Sequence, residues 1–235
     1  MMRTVTALFG ATFLCAQAAY AVEITGGSVE LSYSSFTEDS NVRRVGIEGS
    51  MEVGFNQNIS AQVDLMQHRL NAGNEDVTTF GVHAIYHLDD ATSFGAFYAI
   101  EDTSAGNFDF YGIEAGHEVG QFEFEGYLAR ADANAVDADV VGVSARFGFA
   151  DDFGVTGAYD YIDLAGVDLS ATTLRIDRDV APNVNLFVEV GSARATAGGL
   201  SGSETFVGLG GSYTFGAERG ATFDARGLAR LLPGG

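Results

Sequence analysis

Residues 44–55 read RVGIEGSMEVGF and residues 59–68 read ISAQVDLMQH. In the first stretch Val45, Ile47, Met51, Val53 and Phe55 alternate with Arg44, Glu48, Ser50 and Glu52. In the second, Ile59, Ala61, Val63 and Leu65 alternate with Ser60, Gln62, Asp64 and His68. A period of two is the strand period, because successive side chains point to opposite faces. Asn56-Gln57-Asn58 between them has turn composition, so the pair reads as a hairpin.

The same alternation recurs outward along the chain. Twelve segments carry it, at 23–35, 43–55, 58–69, 77–88, 92–101, 107–119, 121–130, 139–149, 152–162, 168–179, 183–193 and 203–215. Tight connectors at 56–58, 89–90, 120, 151–152 and 182–183 alternate with connectors read as longer, at 37–41, 70–76, 102–106, 131–138, 163–167 and 194–202. An even strand count with short turns on one side and longer loops on the other predicts an all-β fold, an antiparallel transmembrane β-barrel of about twelve strands. Aromatic residues support this. Phe55, Tyr86, Phe94, Phe122, Phe149, Phe153, Tyr213 and Phe215 fall at one set of strand ends. Tyr33, Phe80, Tyr98, Tyr111, Tyr159 and Tyr161 fall towards the other. Two such rings bracketing an apolar band suit a lipid-facing wall. A soluble β-sandwich or secreted barrel is the rival, and it would point its apolar face inward.

The chain ends frame three regions. Residues 1–21 read as a signal peptide, with Arg3 at its start, an apolar run from Val5 to Cys15 and a small-x-small site at Ala19-Tyr20-Ala21. The apolar run is shorter than the roughly 20 residues of a membrane helix. Cys15 is the only cysteine, so cleavage would remove the one thiol. Residues 22–216 form the expected barrel. Residues 217–235 break the alternation and are expected as a periplasmic tail with a short helix, Asp224 capping it and Leu228, Leu231 and Leu232 on one side. Arg226 and Arg230 would take the other side. The tail could hang free, touch lipid or fold into the lumen, and a free tail is the expectation.

Composition narrows the function. The 235 residues include 32 acidic and 12 basic side chains, for a net charge of -20, and every basic residue is Arg. So acidic a chain offers no surface for a phosphate backbone, which excludes nucleic acid as a partner. If apolar residues face lipid, their alternating partners face the lumen. The expected pore-lining set is Arg44, Glu48, Glu52, Asp64, His83, Glu114, Glu123, Glu125, Arg146, Asp160, Arg175 and Glu189. An excess of acids in a narrow bore biases ion entry, so a cation preference is expected, carried in part by Glu48, Asp64 and Glu125. Arg175 has two candidate partners, Asp177 on its own strand or acids on neighbouring strands.

Other chemistry is poorly supported. His83 and His87 lie about 13 Å apart on one strand face, too far for one metal. Asp132, Asp137 and Asp139 lack the Gly and Glu positions of an EF-hand loop. Gly208-Leu209-Gly210-Gly211 is read as strand glycine, not a phosphate loop, since no helix follows. Four histidines remain after residue 21, none near a recognisable nucleophile. Neither catalytic residues, metal nor cofactor are expected.

The opening strand EITGGSVELSYS (23–34), the repeated hairpins and the closing GLGGSYTFG (208–216) together resemble the Gram-negative porin family, small alphaproteobacterial members above all. The resemblance covers roughly 22–216 and rests on pattern, without a fixed ligand motif. It implies an outer-membrane location, contact with outer-membrane lipid, passive diffusion of ions and small hydrophilic solutes, and assembly as a homotrimer. Two departures stand out. The segment 102–106 is too short for the inward-folded third loop of sixteen-stranded members, and the chain continues past Gly216 where such chains usually end on an aromatic. The alternative function is a structural or adhesive outer-membrane barrel without transport.

Overall fold

A computed structural model of the chain describes residues 23–104, 106–133, 136–149, 152–216 and 221–231, with the side chains of Ala72, Ala133 and Val136 left aside. The expected signal peptide lies outside the described residues. Twelve strands follow in order: β1 (Glu23–Phe36), β2 (Arg43–Gly54), β3 (Ile59–Leu70), β4 (Glu75–His87), β5 (Thr92–Thr103) and β6 (Gly106–Val119). They continue as β7 (Phe122–Ala133), β8 (Val136–Phe149), β9 (Phe153–Leu164), β10 (Val167–Ala181), β11 (Val184–Ala197) and β12 (Leu200–Gly216). Each pairs antiparallel with its sequence neighbours, and β12 returns to β1 in register from Gly26↔Gly216 to Phe36↔Phe206. Closure leaves no unpaired strand edge, which is what lets a sheet cross hydrocarbon. No helix among the described residues is long and apolar enough to span a membrane.

The alternation sorts the two faces as the sequence implies. Leu31, Ile47, Leu65, Ile113, Leu128, Val143 and Val188 are exposed on the outside, while Glu48, Glu52, Asp64, His83 and Glu114 are buried on the inside. Glu23 and Gly216 share one end of the cylinder, here the terminal rim. A belt of phenylalanine rings runs along it, with Phe122 and Phe147 at 4.7 Å, Phe147 and Phe149 at 6.2 Å, and Phe149 and Phe153 at 5.8 Å between centroids. Nearer the opposite rim the belt is tyrosine, each hydroxyl donating to a carboxylate: Tyr98 to Asp109 at 2.6 Å, Tyr111 to Asp132 at 2.9 Å and Tyr161 to Asp168 at 2.8 Å. Amphipathic rings with a wet hydroxyl suit an interface between lipid and water.

Two expectations need correction. The connectors read as longer are short. Among the described connectors on that side only 37–42 is sizeable; 71–74 makes a tight 3₁₀ turn, and β9–β10 and β11–β12 are joined by 165–166 and 198–199. The strands on that side run up to four residues further than their apolar alternation, because small and polar residues such as Ser201, Gly202 and Ser203 satisfy the ladder as well as apolar ones. The second correction concerns the tail. Its described part, 221–231, lies inside the barrel instead of hanging free. It ends in one short helical turn, α1 (Leu228–Leu231), so Asp224 is not the cap; Asp224 pairs with Arg230 at 3.2 Å. Leu232 lies outside the described residues.

Candidate functional site: the occupied lumen

The lumen divides into a half filled by the tail and a half left open. Along the filled half the tail climbs from the terminal rim, tied at each step to the inner face of β2–β7. The Thr222 amide donates to Glu52 at 2.8 Å. Gln62 brackets Phe223, its Nε2 donating to the Phe223 carbonyl at 2.9 Å and its Oε1 accepting from the Phe223 amide at 3.3 Å. Phe223 itself is fully buried. Arg226 reaches Glu114 at 2.9 Å and also Glu125, and its guanidinium lies 4.3 Å from the centroid of Tyr127. The Ala229 amide donates to Glu101 at 3.1 Å, Arg230 pairs with Glu48 at 3.0 Å, and Arg44 donates to the carbonyls of Ala229 and Arg230.

The physical reason for this docking is charge and apolar fit together. Buried carboxylates on β2–β7 need cations, and these strands place only Arg44 among them; removing one partner of a buried pair leaves a costly lone charge. Arg226 and Arg230 supply what is missing. Leu228 and Leu231 pack against a patch that includes Phe97, Phe110, Tyr127, Val140 and Ile162, and Ala229 packs with Leu70 and Val77. These inward apolar residues are the signal that sequence reading passed over: Phe97 and Tyr127 occupy the polar phase of their strands' alternation, where a wet wall has no use for them.

All twelve residues expected to line the pore project inward, but they are not brought together as one set. Arg44, Glu48, Glu52, Glu114 and Glu125 bind the tail directly. Asp64 and Glu114 grip His83 from both sides, at 2.7 Å to Nε2 and 2.5 Å to Nδ1. The remaining five, Glu123, Arg146, Asp160, Arg175 and Glu189, line the open half. Arg146 bridges Glu123 at 2.9 Å and Asp177 at 2.8 Å. Arg175 pairs with Glu189 at 3.1 Å and Glu30 at 3.5 Å, both on other strands, and lies over Phe187 at 3.8 Å. Asp177 is thus the partner of Arg146, not of Arg175. Glycines make room for these side chains: Gly208 and Gly210 lie beneath Glu189 and Phe187, where a Cβ would overlap them. That is the use of the GLGG stretch.

The open half is a cavity of about 590 Å³ between the tail and the inner wall of β7–β12 and β1. Eleven carboxylates border it against five arginines.

The Gram-negative porin family model matches residues 20–218, the whole barrel. The chain belongs to the Gram-negative porins. This porin is therefore an outer-membrane channel protein. Its fold is shared with solved porins at low identity. The KdgM porin superposes with a TM-score of 0.61 at 11% identity, over 80% of this chain and 99% of that one, and has also been described in complex with disordered oligogalacturonate. The NanC porin gives 0.59 at 11%, over 80% and 98% of the two chains. The CymD monoaromatic hydrocarbon channel gives 0.52 at 10%, over 83% and 88%. No curated protein sequence gives a significant match to this porin.

Proposed function

We propose that this porin passes small cations along the open half of its lumen, beside the docked tail, by passive diffusion. One observation carries the reading: eleven carboxylates against five arginines around the cavity, with each arginine held by an acid or by the tail. Uncompensated carboxylates in a low-dielectric bore attract cations and repel anions. The acid-rich wall speaks against an anionic sugar of the kind found with the KdgM porin. No constriction loop is needed, because the tail narrows the bore. Assembly as a trimer, implied by the family, would place three such paths side by side.

Planar-bilayer recording in a salt gradient tests this. The reversal potential should show cation preference, and anion preference would refute the assignment. Glu48, Asp64 and Glu125 are engaged with Arg230, His83 and Arg226, and Glu123 with Arg146, so Glu118, Asp160 and Asp179, which pair with no arginine or histidine among the described residues, are the better set to neutralise. Their combined change to Asn or Gln should lower the preference.

The filled half favours a second reading, a barrel closed to transport in its resting state. Conductance from folded protein only after removal of the tail would identify a gated channel. Silence from both forms would leave the structural barrel.

A further inference from the structure

Arg226 occupies a cage whose walls are set by the barrel. Glu114 presents one carboxylate oxygen to His83 and the other, at 2.9 Å, to Arg226 Nε. Glu125 takes the far end of the guanidinium. Tyr127 offers its ring face at 4.3 Å, and Phe97 stands at 5.9 Å. Tyr127 in turn is fixed by its hydroxyl, which donates to Asp160 at 2.7 Å. Three glycines, on β5, β6 and β8, leave the space these side chains need: a Cβ at Gly142 would overlap the Tyr127 ring, one at Gly112 would press on Phe97, and one at Gly95 on Glu114. None of these supports involves Arg226 itself.

A planar cation fits such a cage for definite reasons. Two carboxylates on its edge match the guanidinium fork, and an aromatic face below it accepts a flat, weakly hydrated cation more readily than an ammonium. We propose that this cage is a solute subsite for guanidinium-bearing cations, which the tail's Arg226 occupies as an internal competitor. The proposal rests on the channel reading in one respect, since it names a solute class for the same lumen, but its site is defined by binding alone. A tethered arginine competes at an effective concentration on the order of millimolar. Free guanidinium compounds therefore displace it only at comparable or higher concentrations, and their arrival loosens the tail.

The test reads binding, so its outcome is independent of whether current flows. Full-length protein in micelles is titrated with methylguanidinium and followed by NMR of the ligand's methyl protons. Arg226→Ala empties the cage and should bind one methylguanidinium about tenfold more tightly than the unaltered chain, in which the tail competes. Adding Glu114→Gln and Glu125→Gln should abolish that gain. Methylammonium should bind the Arg226→Ala protein about fivefold more weakly than methylguanidinium. Equal binding by the unaltered and Arg226→Ala proteins would overturn the proposal, as would survival of binding without the two carboxylates or equal affinity for methylammonium. If Arg226→Ala does not fold, a chain ending at Gly216 is titrated in its place with the same expected order. Bilayer current from either variant judges the channel reading separately.

Discussion

His83 sits where two carboxylates would otherwise face each other across the inner wall. Its two ring nitrogens contact Asp64 at 2.7 Å and Glu114 at 2.5 Å, and all three groups are buried. Changing His83→Ala takes away that bridge and leaves buried like charges, so it should cost about 3 kcal/mol in urea unfolding from micelles. His83→Gln, which can still donate to one acid, should recover part of the loss. Equal stability of the two variants would show that the ring merely fills space. Gly142 makes a complementary prediction. A valine there must displace the Tyr127 ring, and overpacking of this kind costs about 1–3 kcal/mol. Near-ultraviolet circular dichroism should register the altered tyrosine environment. Of this scale, the alternation made legible which side chains face inward, including all twelve expected residues. It could not show which of them meet, because groups such as Asp64 and Glu114, joined through His83, come from strands with two others between them, and the register that sets their partners is a property of the closed barrel.

The tail is the element whose behaviour the sequence understated. Its apolar and arginine positions are visible at 223–231, yet they read equally well as a lipid-touching helix, since the acceptor surface is assembled from six strands. Its docking yields a direct test. Arg226 and Arg230 are trypsin sites; Arg226 is buried and Arg230 half-buried, each against carboxylates. The intact protein in micelles should resist cleavage there. Phe223→Ala removes a fully buried ring, a change worth about 3–5 kcal/mol in a packed core, and should expose both sites while leaving the barrel folded. Resistance in both forms would mean that the aromatic contributes little to docking. A smaller element, the turn between β4 and β5, carries a pH prediction. Asp89 accepts from the Ala91 amide at 3.0 Å, and this bond holds its carboxyl below the usual carboxylate range. Its contribution is fully present above that range and is lost as pH falls through the lowered value. The Ala91 amide resonance should therefore shift at a pH below the ordinary Asp value, and a shift centred at or above that value would contradict the bond.

At the scale of the whole barrel, strand number, topology and facing were open to sequence reading because each strand repeats the same two-residue rule. The connectors were not, since Gly, Ser and Asp serve both loops and the polar ends of strands. A chain ending at Gly216 should conduct about twofold more or better than the full chain, because a twelve-stranded bore would then lose its internal obstruction. Unchanged conductance would place the ion path wholly outside the tail's influence. The lopsided filling of the lumen has a consequence for how the wall tolerates change. Strands β2–β6 behave on their inner side like the interior of a water-soluble protein, where a lost carboxylate registers as a loss of folding stability. Strands β8–β12 border the open half like a riverbank, where, on the channel reading proposed above, the same loss registers in what flows past. Two glutamates at equal depth, Glu114 and Glu189, should therefore fail in different ways: one through the yield of folded barrel, the other through the reversal potential.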